Sequence, residues 1–243
     1  AAAVMTAAML FTSCGADTTE PKDYSSRSSA EIVSDMKIGW NLGNSLDALG
    51  SGMSSETAWG NPKTTKAMID DIKAQGFNTI RIPVSWGRHT DKDGNVDEQW
   101  MKRVKEVVDY AYKNDMYVIL NIHHETWHYP TEDNYEAASD RLKKVWTQIG
   151  NYFKDYDEHL IFEGLNEPRV IGTSEEWNGG SDATREVVNK LDADFVSTIR
   201  SLDGNNKLRH LMIPGYAASS SEVALKALKI PENDDKLIVS VHA

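Results

Sequence analysis

Six short runs rich in isoleucine and valine, at 37–42, 78–84, 117–122, 160–165, 210–214 and 237–241, constrain the fold of this chain more than any other feature. Amphipathic stretches at 63–75, 98–114, 138–153, 182–202 and 221–229 lie between them. Met101, Val104, Val108 and Ala111 recur at three- and four-residue steps, as do Leu142, Val145, Trp146 and Ile149, so each stretch predicts a helix with one apolar face. Gly76 follows the first stretch and suits a left-handed C-terminal cap. Strand and helix in strict alternation predict an α/β protein with a parallel sheet, either an open doubly wound sheet or a barrel. Gly39, Gly43 and Gly50 lack the spacing of a phosphate-binding turn, which removes the nucleotide-binding form of the open sheet. Polar and aromatic residues gather instead after the strand ends, where α/β barrels carry their sites: Asn44, Trp86, His123, His124, Trp127, Asn166, Glu167, Tyr216 and His242.

The chain has 26 Lys and Arg against 37 Asp and Glu, a net charge of −11, and no basic run that could track phosphates, so nucleic acid is not an expected partner. A single cysteine, Cys14, rules out both an intrachain disulfide and a thiolate zinc cluster. It stands in Leu-Phe-Thr-Ser-Cys, after the apolar run Ala-Ala-Ala-Val-Met-Thr-Ala-Ala-Met-Leu-Phe. Residues 1–14 therefore read as part of an export signal ending in a lipobox-like segment, with Cys14 as a site for a lipid anchor. Residues 15–30 read as a polar linker, and 31–243 as one catalytic unit.

Three segments carry the chemistry. In Leu160-Ile-Phe-Glu-Gly-Leu-Asn-Glu-Pro-Arg169 a buried strand runs into Asn166-Glu167-Pro168, which places a carboxyl at a strand end, where a cleft of low polarity would raise its pKa as a general acid requires. In Ile80-Arg-Ile-Pro-Val84 a guanidinium sits within an apolar strand, where it would either orient a carboxylate that this reading does not locate or cap the interior through backbone carbonyls. In Asn121-Ile-His-His-Glu-Thr-Trp-His128 the last five residues match the helical zinc motif H-E-x-x-H. They follow a β-branched strand and meet Pro130, so the helix that motif needs is not expected, and His123 and His124 read better as strand-end donors to hydroxyls or carboxylates. Trp40, Trp59, Trp86, Trp127 and Trp177 fall near predicted loops, where flat rings could stack on pyranoses, whereas Trp100 and Trp146 read as core.

With Ile38-Gly-Trp-Asn-Leu-Gly-Asn-Ser-Leu-Asp47, Glu56-Thr-Ala-Trp-Gly-Asn-Pro62 and Val239-Ser-Val-His242 added, the chain resembles glycoside hydrolase family 5, the cellulase family of clan A, and especially its endoglucanase and xyloglucanase-like members. The resemblance implies a (β/α)8 TIM barrel of which about six of the eight β/α units are present. It implies a secreted, extracellular or cell-surface, retaining endo-β-1,4-glucanase that acts on β-glucan through two glutamates roughly 5–5.5 Å apart. Glu167 takes the acid/base position and Asn166 that of the sugar 2-hydroxyl partner. Arg81, His123 and His242 take supporting positions, while Asn44, His124 and Trp127 would bind glucan. No metal and no organic cofactor is implied. In the family a tyrosine follows the histidine that His242 matches, and a seventh strand then supplies the nucleophile. That glutamate is thus expected beyond Ala243, and the 243-residue piece is expected to fold poorly and not to catalyse alone. The alternative expectation is a noncatalytic carbohydrate-binding protein on a truncated barrel.

Overall fold

The computed structural model describes residues 27–242. The signal-like segment, Cys14 and most of the stretch read as linker lie outside the described residues. Strands β1 (Gly39–Asn41), β2 (Thr79–Ile82), β3 (Tyr117–Asn121), β4 (Leu160–Glu163), β5 (Leu211–Ser219) and β6 (Leu237–His242) form one sheet in sequence order. Every neighbouring pair is parallel. The sheet curls as an incomplete barrel, with β1 and β6 at its edges. Helices α2 (Lys66–Ala74), α3 (Glu98–Tyr112), α4 (Tyr135–Tyr152), α5 (Asp182–Ser201) and α6 (Glu222–Ala227) fill the five crossovers.

Every helix but α4 starts where a side chain accepts an orphan N–H. Thr65 caps α2, Asp97 caps α3, and Ser181 with Thr184 forms a reciprocal box on α5. Gly76, at φ +95°, ends α2 as expected. The buried residues of α3 (Trp100, Met101, Val104, Val107, Val108, Ala111) and of α4 (Leu142, Val145, Trp146, Ile149) join the outer faces of the strands in one core. One helix was not read from the sequence. Here α1 (Ser29–Met36) begins inside the stretch taken for linker, because Ser28 and Glu31 cap each other's backbone. Its Ile32 packs with Tyr117, Ile119, Ile161 and Met212 and plugs the inner face of the sheet.

The period of two along the strands decides what faces inward. On β3, Tyr117 and Ile119 meet the inner cluster while Val118 and Leu120 meet the helices, and the same parity turns Arg81, Asn121 and Glu163 inward. The largest departure from the predicted elements is β5, which runs to Ser219 rather than Pro214. Ala217 and Ala218 take positive φ (54° and 48°) where the register with β6 shifts between Pro214 and Ser219. Such a bulge is invisible in Ala-Ala-Ser, a composition that resembles a turn.

Candidate active site

Glu167 lies past the end of β4 and is half-buried. Its Oε1 is 2.7 Å from Nδ1 of His242, at the end of β6, and its Oε2 accepts from Arg169 at 3.2 Å. Arg169 also donates to the Glu167 carbonyl and to Glu176, and the exposed ring of Trp177 lies 4.1 Å from its guanidinium carbon. The hydrogen bond from His242 holds the Glu167 carboxyl below its ordinary pKa against the opposing effect of burial, and the charges of His242, Arg169 and Arg81 add to the lowering. The upward shift expected from a low-polarity cleft is therefore reversed in this structure: the donors around Glu167 outweigh its desolvation.

Of the two readings of Arg81 the structure shows the carboxylate one, and the partner is Glu163. It is fully buried, and its Oε2 accepts from Arg81 Nε at 2.7 Å. The other guanidinium nitrogens donate to Asn41 Oδ1 at 3.1 Å and to Asn166 Oδ1 at 2.7 Å. Arg81 thus ties the ends of β1, β2 and β4 together and leaves the Asn166 amide N–H groups for a ligand. Sequence reasoning missed Glu163 because the whole run 160–165 was read as buried strand. The parity it shares with Ile161 marked it as inward-facing, opposite Arg81 two strands away.

Beyond β3, His123 is nearly buried and His124 more open. Their Nε2 atoms lie 4.0 and 3.9 Å from Oδ2 of Asp47, a buried carboxylate in the loop after β1. Burial drives the His123 pKa to about 2, helped by the charge of Arg81, and burial also lowers that of His124. Trp59 sits 5.4 Å from the His124 ring. Asp47, His123 and His124 are a possible metal triad by proximity, with ligand atoms within 4.8 Å of one another. Asn121 Nδ2 lies 3.0 Å from His123 Nδ1, however, and an amide donor there leaves the ring proton on Nε2, where a metal would need a lone pair. The residues therefore do not fit a three-ligand centre.

Among the other predicted site residues, Asn44 is exposed with φ +58°, a left-handed conformation that asparagine tolerates. Trp127 is placed differently from a cleft-facing platform: its indole N–H donates to Glu125 at 2.7 Å and its ring packs against the main core, with Arg141 above it. Trp86 is fully buried, its indole bonded to the Asn121 carbonyl at 2.9 Å, which corrects its reading as a stacking ring. Trp59 and Trp177 remain exposed. The segment His124–His128 belongs to no helix and His128 is buried, so the zinc-motif geometry is not formed.

The family model described as Cellulase (glycosyl hydrolase family 5) matches residues 46–243. Endoglucanase A of Clostridium longisporum is 53% identical over 232 residues, which cover 92% of this chain and 45% of that protein. Endoglucanase B of Clostridium cellulovorans is 48% identical over 217 residues, covering 88% of this chain and 48% of that one. The chain spans about half the length of these relatives. The solved structure of a GH5-4 broad specificity endoglucanase from Ruminococcus champanellensis with bound cellotriose aligns at a TM-score of 0.88 and 47% identity, over 91% of this chain and 68% of that one.

Proposed function

Since the chain belongs to glycosyl hydrolase family 5, the cellulase family, we propose that it serves a secreted, retaining endo-β-1,4-glucanase with Glu167 as its acid/base. The observation that carries this reading is the convergence of Arg81, Asn166, Glu167 and His242, from three different strands, on one strand-end cleft. The similarity to endoglucanases at about half identity and to a neighbour solved with cellotriose supports a β-1,4-glucan or its oligosaccharides as substrate. Asn166 would donate to the sugar 2-hydroxyl. Glu167 would protonate the departing glycosidic oxygen and later take a proton from water.

The donors around Glu167 in these 243 residues favour its ionised form. A second carboxylate across the cleft would oppose them by repulsion and raise the Glu167 pKa toward that of a general acid. We place that nucleophile in the portion of the relatives' length that these 243 residues do not span. His124, Trp59 and Asn44 would hold further sugar units. The apolar run ending at Cys14 supports an extracellular or cell-surface location with a lipid on that cysteine, which mass spectrometry of the mature N-terminus tests.

The mechanistic part is tested by proton NMR of the first sugars released from cello-oligosaccharides by the full-length protein. The β-anomer should appear first; initial release of the α-anomer would exclude the two-step mechanism.

A further inference from the structure

Asn121 closes β3 and is fully buried, and both ends of its side-chain amide are bonded. One end accepts the backbone N–H of Val84 at 3.1 Å. A backbone N–H can only donate, so that end is Oδ1 and the other is Nδ2. Nδ2 lies 2.9 Å from Glu163 Oε2 and 3.0 Å from His123 Nδ1. The amide has two N–H groups and two neighbours, and neither neighbour can be met by a lone pair on nitrogen. The carboxylate of Glu163 accepts, and the His123 ring must therefore accept through Nδ1, which leaves its proton on Nε2. Nε2 stands 4.0 Å from Asp47 Oδ2. That separation is too long for a direct hydrogen bond, and an oxygen lying beside the line between the two atoms can reach both at about 2.8 Å.

We propose that Asn121, anchored by Glu163 and Val84, is a positioning residue that locks His123 as its Nε2–H tautomer, so that the ring donates and Asp47 accepts at one substrate hydroxyl. A hydroxyl can serve both at once, accepting from the ring and donating to the carboxylate. The lock follows from hydrogen-bond valence alone. Its consequence for binding rests on the reading of the cleft as a glucan site.

The test is long-range proton–nitrogen NMR on the full-length protein labelled with 15N-histidine, with His123 assigned from the signal lost in His123→Gln. His123 should show an unprotonated Nδ1 and a protonated Nε2. Asn121→Asp should reverse this, because a carboxylate at that place accepts from Nδ1, and a protonated one spends its proton on Glu163 and still accepts. Cellotriose affinity, read by calorimetry, should then fall roughly tenfold or more. A wild-type His123 protonated on Nδ1 overturns the proposal. So does an Asn121→Asp protein with its other histidine signals unchanged and the His123 tautomer unmoved, or one with a reversed tautomer and undiminished affinity. Should that variant not fold, the wild-type spectrum decides by itself. Failure of the wild-type protein to bind cellotriose would tell against the glucan reading, while the spectra would still decide the tautomer.

Discussion

Individual side chains in this cleft behave according to the donors and charges around them rather than according to burial alone. Glu167 is half-buried, yet the His242 contact keeps it ionised. Its depressed pKa contributes stability that is present above the ordinary carboxylate range and lost as the pH falls through the lowered value. His242→Ala should move the Glu167 titration upward, as read by carboxyl-carbon NMR; an unmoved titration would show that the histidine does not set it. Asp192 presents the opposite case. It is almost wholly buried on α5, neither oxygen has a partner, and burial raises its pKa well above the ordinary value. A raised carboxyl pKa gives stability that is fully present below the unfolded value and lost as the pH rises toward the folded one. The advantage of Asp192→Asn over wild type in urea unfolding should therefore widen between pH 4 and pH 8, with a slope of at most about 1.4 kcal/mol per pH unit. A gap independent of pH would mean that Asp192 titrates normally. At this scale the sequence exposed Arg81, a charge within an apolar strand, and the strand-end residues His123, Asn166, Glu167 and His242, because a polar group inside or just after an apolar strand is conspicuous. Glu163, Asn121 and Asp47 stayed hidden because their roles depend on partners from other strands, and pairing across strands leaves no local pattern.

Among the secondary-structure elements, long helices were legible wherever an apolar face repeated over three or more turns, as in α3, α4 and α5. The short α1 was not, since two turns in a serine-rich stretch carry little periodicity and its identity depends on the Ser28–Glu31 box. Connections matter as much as elements. Glu56, in the 3-10 turn Gly52–Thr57, is buried against Arg103 of α3 through two bonds of 2.7 and 2.9 Å, and it accepts the Thr64 N–H as well. This pair anchors the loop that carries Trp59 to a helix on the outside of the sheet. Glu56→Ala would leave the Arg103 charge without its buried partner, at a cost of about 3–5 kcal/mol. Chemical denaturation checks the magnitude; a loss below about 1 kcal/mol would show that Glu106, the other carboxylate on Arg103, suffices.

For the molecule as a whole, strand–helix alternation was enough to reach a parallel sheet packed against helices, while the barrel form came from the polar strand ends and the family resemblance, since an open doubly wound sheet carries the same alternation. The cleft is a property of that whole. Arg81 and Asn121 come from β2 and β3, Glu163 and Glu167 from β4 and the loop after it, and His242 from β6, so no two adjacent elements contain the site. Substrate choice was not legible at any scale, since it depends on the shapes of loops, which carry no periodic pattern. The measurement that tests the central claim most directly is the rate of reducing-end release from a soluble β-1,4-glucan by the full-length protein and by its Glu167→Gln variant. Loss of the proton donor should lower kcat roughly 10²- to 10⁴-fold while cellotriose binding persists. Hydrolysis at the wild-type rate in Glu167→Gln would contradict the assignment of this cleft as the acid/base site.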